Sequence, residues 1–86
     1  MHEVDPKAIS VKVGKQLRGL RIARGLSIRE VAKATGMHPP IISRVELGTY
    51  MPRLDTILRI AVALQVTLSE VTSVLDTEAY DESEFG

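Results

Sequence analysis

The sequence predicts an all-α domain of five helices, and three observations lead there. Apolar residues recur at i, i+3, i+4 and i+7 along much of the chain, and two stretches read Ser/Thr-x-x-Glu at the head of such runs. The composition is aliphatic: 44% of the 86 residues are hydrophobic, yet only Tyr50, Tyr80 and Phe85 are aromatic. A core of Leu, Ile, Val and Ala suits helices better than an aromatic-rich sheet. At this length one compact unit is expected and a multidomain enzyme is excluded.

Residues 1–9 hold Pro6 and no sustained period, so they read as a loose arm ahead of a domain at 10–75. Helix 1 is expected over 11–24, with Ser10 as its cap, Val13, Leu17 and Leu20 on one stripe, and Gly25 just past its end. Lys12, Lys15, Arg18, Arg21 and Arg24 step round it by three, a slanting ribbon that taken alone reads as a solvated surface. Ser27-Ile28-Arg29-Glu30 is a capping box that opens helix 2 over 28–34, with Val31 and Ala32 inward and Gly36 at the end. Pro39-Pro40 fits only a first helical turn, where amide protons have no intrahelical partner, so helix 3 runs over 39–47 with Ile42 and Val45 inward and Gly48 as terminator. After the loop 49–53, Leu54, Ile57, Leu58, Ala61 and Leu64 mark an amphipathic helix 4. Thr67-Leu68-Ser69-Glu70 is the second capping box and opens helix 5 through Leu75, beyond which residues 76–86 form an acidic, aperiodic tail expected to be disordered.

Absence of cysteine removes disulfides and thiolate metal sites, and no apolar run reaches a membrane span or a secretory segment. His2 lies in the arm, His38 is the other histidine, and no metal-ligand or phosphate-loop spacing occurs. A cytosolic, soluble, non-enzymatic protein without a cofactor is expected. The formal charge is zero, but it is sorted along the chain. All 11 Lys and Arg lie between Lys7 and Arg59 against Glu30, Glu46 and Asp55, a surplus of eight, whereas residues 70–86 carry six acids and no base. A basic body with an acidic tail is the signature of a polyanion binder.

Ala32, Gly36, Ile42 and Val45 fall at relative offsets 0, 4, 10 and 13, and each has a steric reason to be there. Small Ala32 lets helix 3 approach helix 2, Gly36 permits a left-handed turn, and Ile42 and Val45 fill the angle between the helices. That spacing defines a helix-turn-helix over residues 28–47.

VGKQLRGLRIARGLSIREVAKATG, IISRVELGTYMPRLDTILRIAVAL and VTLSEV resemble the first two, the third and fourth, and the opening of the fifth helix of the Xre family of regulators, with the lambda-repressor and Cro-like fold. The likeness covers Val13 to Val71, about two thirds of the chain. It implies a sequence-specific, double-stranded DNA-binding transcriptional regulator, with helix 3 in the major groove and helix N-termini and flanking loops on phosphates. It also implies an architectural ion pair between Arg21 and Glu46.

The chain departs from the family pattern where polar base readers usually open helix 3, since Pro39 and Pro40 stand there. Proline can touch a thymine methyl but offers no hydrogen bond from its side chain. Arg44, one turn on, is the expected guanine reader, with Ser43 and His38 secondary. Ile28 replaces a phosphate-bonding glutamine and leaves only its amide, so phosphate contacts are expected at Arg29, Thr49, Tyr50, Arg53, Lys15 and Arg18. About five neutralised phosphates imply a slope of log affinity on log salt near about −4 to −5. A homodimer on a near-palindrome is expected, paired through Val62, Val66, Val71, Val74 and Leu75. The alternative is a protein-interaction module of the same fold, its groove-reading edge disabled by the two prolines. Phage-type repressor, self-repressing antitoxin and restriction-modification controller all remain open.

Overall fold

The structure is a computed structural model and describes residues 5–76. Those residues hold five helices and no strand: α1 Pro6–Ala23, α2 Ile28–Thr35, α3 Pro39–Leu47, α4 Leu54–Leu64 and α5 Leu68–Thr72, the last running into a 3-10 turn at Ser73–Leu75. Tyr80, Phe85 and the acidic tail from residue 77 onward lie outside the described residues.

Helix α1 starts well before Ser10, within the stretch read as an arm. Asp5 is its N-cap, accepting a 3.0 Å hydrogen bond from the Lys7 amide, and Pro6 takes the first helical position, where its missing amide proton costs nothing. Ser10 is therefore an interior residue. It is buried, and its hydroxyl is directed between the carbonyls of Lys7 at 3.0 Å and Gly48 at 3.2 Å.

Both capping boxes are closed. Ser27 Oγ accepts from the Glu30 amide while Glu30 Oε1 accepts from the Ser27 amide, each at 3.0 Å, and Thr67 and Glu70 repeat the exchange at the head of α5. The backbone bond from Ser27 favours the charged carboxylate and holds Glu30 below the ordinary carboxylate range. Helix α2 ends at Gly36 in the left-handed conformation, with φ 72°, which turns the chain sharply toward α3.

The most extensive pairing joins α1 to α3, and two glycines make it possible. A β-carbon on Gly14 would clash with the Val45 carbonyl and stand 2.6 Å from that of Glu46. One on Gly48 would stand 2.5 Å from Val11 Cα, and Gly48 also has φ 70°, a region that L side chains seldom occupy. Backbone thus meets backbone at this crossing.

Val13 and Leu17 of α1, Val31 and Ala32 of α2, Ile42 and Val45 of α3, Ile57, Ile60, Ala61 and Leu64 of α4, and Val71 of α5 form one buried core. Three sequence expectations change here. Leu54 and Leu58 point outward, 60% and 40% exposed, and Ile60 takes the inward place beside Ile57 and Ala61. Val71 is fully buried, so it is core rather than a pairing surface, and Val66 and Leu75 pack partly against the same core.

Gly14 and Gly19 lie on one helix with opposite surroundings, since nothing stands within 4 Å of a β-carbon at Gly19. Gly14→Ala should cost about 3 kcal/mol or more by overpacking against rigid backbone. Gly19→Ala should instead stabilise by about 0.5–1 kcal/mol, the helix-propensity gain alone. Urea denaturation followed by far-UV circular dichroism measures both.

Candidate nucleic-acid interface

Helix α3 packs on α1 and α2 with one side, so its opposite side is presented. Ile42 and Val45 point into the core, and at about 100° per residue Pro40, Arg44 and Leu47 fall on the opposite face, flanked by Ser43. Pro39, Pro40, Arg44 and Leu47 are exposed, while Ile41 and Ser43 are half-buried. Leu47, 68% exposed, was not among the residues that sequence reasoning placed on this face, although its i+3 spacing from Arg44 would have found it. His38 is the exposed N-cap of α3 and makes no capping bond through its side chain.

The arginines divide into two sets. Arg21, Arg24, Arg53 and Arg59 are tied into the fold: Arg24 Nη2 donates to the Gln65 carbonyl at 3.0 Å, Arg59 Nη2 donates to the Thr35 carbonyl at 2.6 Å, and Arg53 Nε lies 3.2 Å from Asp55 Oδ1. Arg18, Arg29 and Arg44 have guanidinium groups without a hydrogen bond or ion pair among the described residues. Arg29 and Lys33, one turn apart on α2, border a shallow cleft with Met37 and Pro39 at the inner angle of the helix pair. Arg18 lies between Gly14 and Arg21 on the α1 strip that meets α3, and Lys15 is exposed a step further round.

The carboxylates of the helix pair are already engaged. Glu46 accepts two hydrogen bonds from Arg21, at 2.7 Å from Nε and 3.0 Å from Nη2, and Arg21 Nη1 reaches the Leu26 carbonyl at 2.8 Å. The side chains are only 12% and 8% exposed, so the fork is nearly dry. Bonding to Glu46 raises the Arg21 pKa above its ordinary value against a smaller opposing effect of burial. With Glu30 held in its capping box, positive charge dominates the α2–α3 face.

Two of the expected phosphate ligands, Thr49 and Arg53, have partners within the fold, and Ile28 keeps only the amide counted on from the sequence. Ile28 packs its side chain against the core, so only its amide, in the first turn of α2, faces outward chemistry. Thr49 directs its hydroxyl at the Arg44 carbonyl at 3.2 Å, closing the end of α3. Arg53 shares its charge with Asp55. Tyr50, 41% exposed, stands with Leu47 and Met51 over a depression that reaches Lys7 and Val11 on α1.

The helix-turn-helix family model matches residues 17–71. The chain belongs to the Xre-type helix-turn-helix family. This is a family of DNA-binding transcription regulators. Relatives include an uncharacterized HTH-type transcriptional regulator of Haemophilus influenzae, 32% identical over 69 residues that cover 80% of this chain and 70% of that protein. The ImmF control region 10 kDa protein of Bacillus phage phi105 is 34% identical over 58 residues, 67% of this chain and 64% of that protein. Among solved structures, the restriction-modification controller protein C.AhdI of Aeromonas hydrophila superposes with a TM-score of 0.71 at 38% identity, covering 74% of this chain and 97% of that one.

Arg21–Glu46 and Arg53–Asp55, both among the described residues, differ in burial, and double-mutant cycles should separate them. Coupling between Arg21 and Glu46 is expected above about 1.5 kcal/mol and nearly independent of salt, whereas the exposed Arg53–Asp55 pair should give less than about 1 kcal/mol and fade as salt rises.

Proposed function

We propose that this chain is a sequence-specific, double-stranded DNA-binding transcriptional regulator that acts as a repressor or autoregulator and lays α3 in the major groove. The observation that carries the reading is the Arg44 guanidinium, without a partner among the described residues, on the outward side of a helix whose inward side is pinned to two others. A forked donor held that way matches the O6 and N7 acceptors of guanine. Ser43, His38, Pro39 and Pro40 complete the base-facing set. Phosphates fall to Arg29, Arg18, Lys15 and Tyr50, to the Ile28 amide, and to Thr49 and Arg53 once they exchange their present partners.

One helix-turn-helix covers a half-site, and so small a module buries too little surface for tight selective binding, so the regulator pairs as a homodimer. The pairing face runs along α4, where Leu54, Leu58 and Val62 recur every four residues and are 60%, 40% and 75% exposed. Val62 borders a depression with Ala34, Thr35 and Arg59, and the half-buried Val74 and partly packed Val66 extend the apolar surface beyond α4. A two-fold pair would present its two α3 helices to half-sites about 34 Å apart. The names of the relatives, a transcriptional regulator, a phage control-region protein and a restriction-modification controller, agree with this reading.

In binding titrations on duplexes selected from the source genome, Arg44→Ala should cost about 1–3 kcal/mol at one base pair per half-site and relax preference there. Equal loss on every duplex would mean that Arg44 grips backbone. Separately, Val62→Glu combined with Leu58→Glu should give a monomer by sedimentation equilibrium with an unchanged circular dichroism spectrum, and should weaken operator binding at least tenfold.

A further inference from the structure

We infer that the groove-facing side of α3 reads thymine C5-methyl groups on both sides of the base pair contacted by Arg44, through Pro40 before it and Leu47 after it. The inference rests on the DNA-binding reading and adds what the preferred half-site must contain. Pro40, Arg44 and Leu47 share one face at i, i+4 and i+7, and all three are exposed, Leu47 by 68%. Along a helix axis, seven residues span about 10 Å, about three base-pair steps. A cation thus stands between two apolar groups at a spacing that fits bases one to two steps away on either side.

The chemistry of the occupant follows from what surrounds the face. Arg29 and Lys33 border the cleft beside Pro39, and the carboxylates of α2 and α3 are consumed by Ser27 and Arg21. An apolar surface bordered on its Pro39 side by Arg29 and Lys33 suits a polyanion that itself displays apolar groups, and the thymine methyl is the one such group on a major-groove edge. Neither Pro40 nor Leu47 can donate or accept a hydrogen bond through its side chain, so a guanine, cytosine or adenine edge opposite them would lose water and gain no contact in exchange, whereas thymine gains one through its methyl. The expected half-site is a guanine at the Arg44 position with a thymine within two base pairs on each side.

The test uses the full chain and the best duplex from selection, in which each thymine is replaced singly by deoxyuridine. This removes the methyl and keeps every hydrogen-bonding group. Two replacements flanking the guanine should each weaken binding about fourfold, the loss expected for one buried methyl, and the others should have no effect. Leu47→Ala should abolish sensitivity at one of these thymines and Pro40→Ala at the other, while the salt slope and the melting temperature stay near those of the parent chain. Binding that is indifferent to deoxyuridine, or a sensitivity that survives both substitutions, overturns the inference and leaves DNA recognition standing. No binding to any duplex at low salt removes the DNA reading itself and gives the apolar face to a protein partner.

Discussion

The backbone-to-backbone approach of α1 and α3 is the constraint on which the remaining geometry depends. A β-carbon at Gly14 or Gly48 would force the helices apart, and two further links act only at the present distance. The Ser10 hydroxyl reaches the Gly48 carbonyl at the head of the contact, and the Arg21 fork closes on Glu46 along it. These links lie on one strip of α1, so they fix α3 along its length rather than at one point. Packing of Val31 and Ala32 from α2 then leaves α3 no freedom to roll, because Ile42 and Val45 fill the angle between the helices.

Rigidity on the inner side has an electrostatic counterpart outside. Each carboxylate of α2 and α3 serves a structural bond, whereas Arg18, Arg29 and Arg44 serve none among the described residues. Anions are consumed internally and cations are presented, so a chain with zero formal charge still offers a positive face. The two capping boxes assist indirectly, since each sets where a helix starts and hence the direction in which its side chains leave.

Local chemistry was legible in the sequence and tertiary proximity was not. Helices α2 and α3 could be placed from their own residues, because a capping box, a proline pair and a terminating glycine act within a few positions. The start of α1 was available in the same terms, as an Asp-Pro cap, but lack of periodicity in the preceding residues obscured it. Gly14 looks like a weak point of a helix until α3 is seen against it. Helix α4 is apolar on nearly every side, so periodicity could not tell that Ile60 turns inward while Leu54 and Leu58 turn out. In the candidate site, the outward place of Arg44 on α3 was legible from spacing, the commitment of Thr49 to a helix end was not, and the outward place of Leu47 was within reach of the same spacing but was not drawn from it.

The contact from Arg59 to the Thr35 carbonyl joins regions that are otherwise assigned separate tasks. Arg59 sits between Leu58 and Ile60 on α4 and holds the last carbonyl of α2, one residue before the chain bends toward α3. A displacement of α4 would therefore reach the bend through this one exposed side chain. In the homodimer proposed above, the tilt between the two α3 helices would then depend partly on how the copies seat on each other, and tolerance for altered operator spacing would be set at α4 as well as at the residues proposed to touch bases.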